Sequence, residues 1–281
     1  SAPKQEQKIS DLSAEWFLDR VKADDFESFD SRERLKLAAL WFREFRFEKE
    51  SMNQISSVMQ DLLLKSAPAA LIRGCARALL DEVEHQRLSV SLVKALAGSE
   101  ISFREASSPH DELLSADELA DTASRVDHRA SEISTYATQS KEDVFEIAWK
   151  ALQQGVLVQE LSARFSIHLS RDKTYSVVVA ELLKKSIDEH RHSDLYWDIF
   201  AWALKKLGRE YVDRLWTMWT NLPKAKFEDA LLGDGKCRDF YREVKQDVSE
   251  RLKSFFEQEW GLVLGENNQI EKALPISRPA S

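Results

Sequence analysis

The chain has 281 residues, 43% of them hydrophobic and 31% charged, enough to bury one sizeable core or two smaller ones beneath a hydrated surface. A net charge of -8 and the lack of any long Lys/Arg run argue against a nucleic-acid partner, since phosphate binding needs a basic field. Cys75 and Cys237 are the only cysteines, so a disulfide framework and a thiolate zinc cage are excluded, and a reducing, cytoplasmic setting is expected.

No apolar stretch approaches the roughly 20 residues that span a bilayer, and Ser1-Ala2-Pro3-Lys4-Gln5 lacks the apolar segment of a secretory signal, so no membrane partner is expected. Only 8 Gly and 6 Pro punctuate the chain, and apolar residues recur at three and four rather than two; the expected class is all-α. Residues 1–30 read as an N-terminal extension. A first long helix is predicted from about Ser31 to Lys65, with Leu35, Ala38, Ala39, Phe42, Phe45 and Met52 at helical spacing, ended by Ser66-Ala67-Pro68. A second runs from about Ala69 to Ala97 and stops at Gly98-Ser99. A polar connection follows from Glu100 to Lys141, with a short helix around Asp111 to Val126. Simple bundles join helices by short loops, whereas one long crossover suits a ferritin-like bundle. The third helix, about Lys141 to Leu169, and the fourth, about Thr174 to Leu207, are separated by Ser170-Arg171-Asp172-Lys173. The organisation expected is a four-helix bundle over 31–207, further amphipathic helices packing on it over 208–273, including Val248 to Trp260, and a disordered tail at 274–281.

Two stretches carry the chemistry, Asp81-Glu82-Val83-Glu84-His85 and Asp188-Glu189-His190-Arg191-His192, each Asp-Glu-x-x-His. Residues three apart share a helix face, so a Glu and a His at this spacing can ligate metal from one wall of a bundle. With 6 His in the chain, one Glu-x-x-His arises by chance about half the time; two copies, both preceded by Asp, are far more informative. In an antiparallel helix pair, residues equidistant from the turn lie at one height. The turn near Lys65-Ser66 reflects Glu82 and His85 onto about residues 45 to 50, where Glu48 sits, with Glu44 and Glu50 as competitors. The turn near Asp172 reflects Glu189 and His192 onto about residues 152 to 157, and Glu160 is the nearest acid.

On these residues, from about Leu35 to Leu207, the chain resembles the ferritin-like di-metal carboxylate superfamily. Phe47-Glu48-Lys49-Glu50-Ser51 looks like the Glu-x-x-Ser segment of bacterial ferritin-like domain proteins, and Ala78-Leu79-Leu80-Asp81-Glu82-Val83-Glu84-His85 looks like their second-helix motif. Val158-Gln159-Glu160-Leu161 and Asp188 to His192 resemble the third and fourth. The resemblance implies a site for two iron ions, or a manganese and iron pair, held by Glu48, Glu82, His85, Glu160, Glu189 and His192, and it favours Glu48 over Glu44 and Glu50. Four carboxylates and two imidazoles suit such ions. Asp81 and Asp188 are expected to accept the second ring N–H of a ligating His, in the superfamily generally that of the opposite motif.

Lys185 and Tyr196 lie one turn before Glu189 and one turn after His192, on the face expected to look toward the metals. Lys185 could hydrogen-bond a ligand carboxylate or border a substrate pocket, and Tyr196 could donate a proton or an electron. Di-iron arylamine N-oxygenases carry His where this chain has Lys185, which sets it apart from that branch. Glu84 and His190 read as surface residues, His110, His128 and His168 lack partners at ligand spacing, and Trp41, Phe45, Phe165 and Trp197 read as core.

The expected function is a non-haem di-iron oxygenase or oxidase that activates dioxygen to hydroxylate, desaturate or N-oxygenate a small organic substrate. The crossover and the segment after the bundle supply more chain than a simple scavenger needs, enough to wall off a pocket. The alternatives are a ferroxidase, peroxidase or iron-handling protein without organic substrate, and a scaffold stapled by metal. Dioxygen, a small molecule and an electron donor are the expected partners, and the chain could pair with a second copy.

Overall fold

The structure, a computed structural model, describes residues 17–98, 141–222, 235–264 and 270–273. The short helix expected around Asp111 to Val126, with the crossover that holds it, and the tail from Leu274 lie outside the described residues. Seven α-helices are described: α1 Ser31–Leu64, α2 Ala69–Ala97, α3 Lys141–Lys150, α4 Val158–Ser170, α5 Val179–Leu207, α6 Val212–Thr220 and α7 Gly235–Trp260. A π-helical segment, Ala151–Leu157, runs between α3 and α4, and a 3-10 turn, Lys173–Val178, precedes α5. The class is all-α. The strands among the described residues form a short antiparallel hairpin of β1 Leu262–Leu264 and β2 Ile270–Ala273, with Leu262 opposite Ala273 and a register shift after Val263. Among the described residues no helix is long and apolar enough to cross a membrane.

The described residues form two compact units, which divide within α1 after Phe47 and within α2 after His85. In the first, α1 begins where Asp30 and Glu33 make a reciprocal capping box: Glu33 N–H donates to Asp30 Oδ1 at 2.8 Å and Asp30 N–H to Glu33 Oε2 at 3.0 Å. Its buried residues include Phe26, Ala38, Trp41, Phe42, Leu88, Leu92 and Leu96. Leu18 N–H donates to Ser91 Oγ at 2.8 Å.

The second unit holds the larger core. Ile55, Val58 and Leu62 on α1 and Leu71, Cys75 and Ala78 on α2 continue the spacing of three and four that also carries Glu48, Glu82 and His85, so each helix buries one stripe. Between these helices, Ser66 takes the left-handed backbone (φ 52°), with Ser66 N–H bonded to Leu63 O at 3.2 Å and Ala67 N–H to Leu62 O at 2.9 Å. This is a Schellman ending in which Ser stands where Gly is usual, with Ala67 and Leu62 in one apolar cluster. Pro68 follows, and α2 starts at once.

From Ala148 to Leu169 one buried stripe runs through Ala148, Leu152, Gly155, Gln159, Ser162, Ser166 and Leu169, at three and four, through the π-helical segment and into α4, with Ala151, Val156, Leu157, Leu161, Ala163 and Phe165 buried beside it. Gly155 is required by a close approach: a Cβ there would lie 2.0 Å from Cγ of Tyr196 on α5. The outer side of α5 meets the C-terminal helices through aromatic residues. Trp197 lies edge-on to Phe200 at 5.5 Å between ring centres and 6.3 Å from Phe255, and Trp216 lies edge-on to Phe256 at 6.4 Å. Trp219 Nε1–H donates to Ser249 Oγ at 2.8 Å, tying α6 to α7.

Candidate metal centre

Glu48 on α1, Glu82 and His85 on α2 and Glu189 on α5 each bring a donor atom within 4.8 Å of all the others, and all four are buried. Such a group could hold a metal ion. Its position follows from the apolar stripes, since each of these residues occupies a place that helical spacing would otherwise give to Leu or Ala. His85 Nδ1 lies 3.3 Å from Glu82 Oε2, 3.5 Å from Glu189 Oε1 and 4.0 Å from Glu48 Oε2. His192 Nδ1 lies 3.4 Å from both Glu82 Oε1 and Glu189 Oε2, and the two imidazole centres are 6.0 Å apart. Both histidines therefore turn Nδ1 toward the carboxylates.

Their Nε2 atoms turn outward to the aspartate of the opposite motif. His192 Nε2 lies 3.2 Å from Asp81 Oδ2 and His85 Nε2 lies 3.5 Å from Asp188 Oδ2. Arg191 bridges the two aspartates, donating from Nη2 to Asp81 Oδ2 at 2.5 Å and to Asp188 Oδ1 at 2.7 Å. Serines fix the carboxylates: Ser51 Oγ donates to Glu82 Oε1 and Ser162 Oγ to Glu189 Oε1, each at 2.8 Å.

Lys185 enters the cluster itself. Its Nζ is 2.7 Å from Glu48 Oε1, 2.5 Å from Glu189 Oε1 and 2.7 Å from Ser162 Oγ, and the residue is 2% exposed. Tyr196 is buried one turn beyond His192. Burial, with the carboxylates of Glu82 and Glu189 near it, drives its phenol upward, so it keeps its proton.

Glu160 is not brought into the cluster. It lies one residue, or about 100° of helix, off the buried stripe, and its Oε2 is 3.3 Å from Nδ1 of the half-exposed His190. The stripe presents Gln159 instead, 2% exposed, whose Nε2 donates to Ser51 Oγ at 3.2 Å and whose Oε1 is 3.3 Å from His192 Nδ1. The reflection argument gave the height on this helix but not the rotation about its axis. The stripe of Leu152, Gly155, Gln159, Ser162 and Ser166 carries the phase, but Gly, Gln and Ser give no hydrophobic signal, so their burial shows only in the structure. Arg191, three residues from Asp188, had a signal of its own in that spacing. Glu50 is exposed and Glu44 is buried in the other unit. His168 packs edge-on against Phe240 at 5.6 Å, while His110 and His128 lie outside the described residues.

The electrostatics express a shortage of positive charge. Burial pushes Glu48 well above the ordinary carboxylate range, opposed by Lys185 and reinforced by Glu82 and Glu189. Burial would raise Glu82 too, but hydrogen bonds to His192 and His85 outweigh it and hold the group well below its usual value. Glu189, fully buried, is brought down to about 2 chiefly by the adjacent Lys185. Burial works against protonation of His192, yet the acceptors Asp81, Glu189 and Glu82 raise it to about 11. Protons thus compensate the carboxylates where a metal ion could do so. Oε2 of Glu48 has no hydrogen-bond donor among the described residues.

No family model, curated protein or solved structure matches this chain.

Proposed function

We propose that the protein is a non-haem iron oxygenase or oxidase that uses dioxygen to oxidise a small organic substrate at the Glu48, Glu82, His85 and Glu189 cluster. The observation that carries this reading is the convergence of three carboxylates, each 1% exposed or less, on His85 in the interior of a helical protein. Burying several carboxylates together is costly unless cations compensate them, and a carboxylate and imidazole donor set without thiolate suits iron or manganese.

In this reading Glu48, Glu82 and Glu189 supply carboxylate oxygens and His85 supplies Nδ1. Asp188 Oδ2 stands 3.5 Å from His85 Nε2, where its charge favours the tautomer that leaves the Nδ1 lone pair aimed at the carboxylates; Arg191 holds Asp188 in place. Ser51 and Ser162 fix the rotamers of Glu82 and Glu189. Tyr196, buried one turn from His192, keeps its proton and so adds no further negative charge beside the cluster. When bound, iron would pass to dioxygen the electrons that an external donor supplies; the protein would supply a dry, preorganised enclosure.

The test is elemental analysis of protein produced in iron-rich medium, with optical spectra recorded as the ferrous protein meets oxygen, for wild type and Glu189→Gln. Bound iron that oxidises in a limited number of turnovers, and is lost in the variant, is expected. Iron content unchanged by the substitution, or no reaction with oxygen, would overturn the proposal. Continued turnover of added ferrous iron to ferric product would favour an iron-handling protein without organic substrate.

A further inference from the structure

We propose that Lys185 takes the place of a second metal ion, so that the centre holds one divalent cation per chain rather than the pair expected from the sequence. The inference rests on the metal-binding reading above and concerns how many ions the residues can hold.

A two-ion centre of this type needs four carboxylates to balance four positive charges. Here three converge, because the helix that should supply the fourth turns the neutral amide of Gln159 inward and leaves Glu160 with His190 near the surface. The loss of that negative charge is matched by a gain of positive charge. Lys185 Nζ sits among Glu48 Oε1, Glu189 Oε1 and Ser162 Oγ at 2.5 to 2.7 Å, three oxygens gathered around one cation. With neutral imidazoles, three carboxylates, one ammonium and one divalent ion sum to zero. A second divalent ion would leave two uncompensated positive charges in an interior with little solvent.

The geometry also says which half remains for metal. On the His192 side, Nδ1 faces the neutral amide oxygen of Gln159 at 3.3 Å in addition to Glu82 and Glu189 at 3.4 Å, and Nε2 faces Asp81 at 3.2 Å. On the His85 side, Nδ1 faces only carboxylate oxygens, Glu82 Oε2, Glu189 Oε1 and Glu48 Oε2, and the last of these has no hydrogen-bond donor among the described residues. Glu48, Glu82, His85 and Glu189 are the residues whose donor atoms meet within 4.8 Å, and His192 is not among them. One carboxylate oxygen of Glu48 thus serves Lys185 while the other is left for the ion.

The experiment loads the full-length protein with manganese(II), removes free metal, and counts manganese per chain by elemental analysis. Electron paramagnetic resonance then distinguishes an isolated ion from a coupled pair. Wild type is expected to hold one manganese with an isolated six-line signal. Lys185→Met combined with Gln159→Glu restores the fourth carboxylate and removes the ammonium, and is expected to hold two with a coupled spectrum. Two ions in wild type would overturn the proposal while leaving the metal reading intact, and none would overturn both. A folded double variant that still holds one ion would overturn the assignment to these two residues. Should the double variant not fold, the wild-type count and spectrum decide the question alone, since a coupled pair there refutes the single-ion centre.

Discussion

Gly155→Ala tests the contact that sets the π-helical segment against α5 beside the cluster. An alanine Cβ would lie 2.0, 2.3 and 2.5 Å from Cγ, Cδ1 and Cδ2 of Tyr196, far inside carbon contact distance. The ring has little room to yield, since Tyr196 is 3% exposed. Two effects compete. Replacing glycine within a helix favours folding by about 0.5–1 kcal/mol, whereas forcing a methyl into a packed site costs about 1–3 kcal/mol and sometimes more. With three ring atoms overlapped, the upper end applies, and a net loss of about 2 kcal/mol is expected. For a chain of this size that lowers the melting temperature by about 4–8 °C. The decisive measurement is the cycle with Tyr196→Ala, followed by thermal unfolding. Once the ring is gone, the same alanine should stabilise by up to about 1 kcal/mol, giving a coupling of about 3 kcal/mol between the positions. Equal effects of Gly155→Ala with and without the ring would refute the reasoning.

Ser66→Gly relieves a left-handed residue at the end of α1, where φ is 52°, and is expected to raise stability by about 0.5–1 kcal/mol in thermal melts; a lower melting temperature would show that the serine side chain contributes more than the strain it carries. In metal-free protein, Asp188 and Glu189 are both held at about 2, below an unfolded-state value of about 4. Their stabilising contribution is fully present above the unfolded value and is lost as pH falls from about 4 through about 2, so urea midpoints should drop across that window. An unchanged midpoint there would refute the shifts. His192, raised to about 11, has the opposite sign: its contribution is complete below about 6.5 and is lost as pH rises toward 11.

Much of the helical framework is legible in the residues because it depends on local chemistry. Ser66-Ala67-Pro68 marks the end of α1, since a left-handed residue closes the last turn and proline cannot continue it. The three-residue spacing within Glu82 and His85, and within Glu189 and His192, sets each pair on one helix face wherever the helix goes. The hairpin at Leu262–Leu264 and Ile270–Ala273 is different, because short strands are stabilised by pairing across the chain and carry little local signal.

The composition of the cluster divides along the same line. By itself the sequence determined that Glu82 with His85, and Glu189 with His192, share a helix face, because residues three apart do so on any helix; for the first helix it left Glu44, Glu48 and Glu50 in competition, and the resemblance pointed to Glu48. Only the tertiary structure decided that Gln159 rather than Glu160 completes the third wall, and that Lys185 reaches inward. Adjacent residues on a helix differ by about 100°, and a π-helical segment upstream alters the phase, so height along the helix cannot choose between them. Lysine has a long flexible stem, and whether its ammonium finds water or Glu48 and Glu189 depends on how closely the other helices approach.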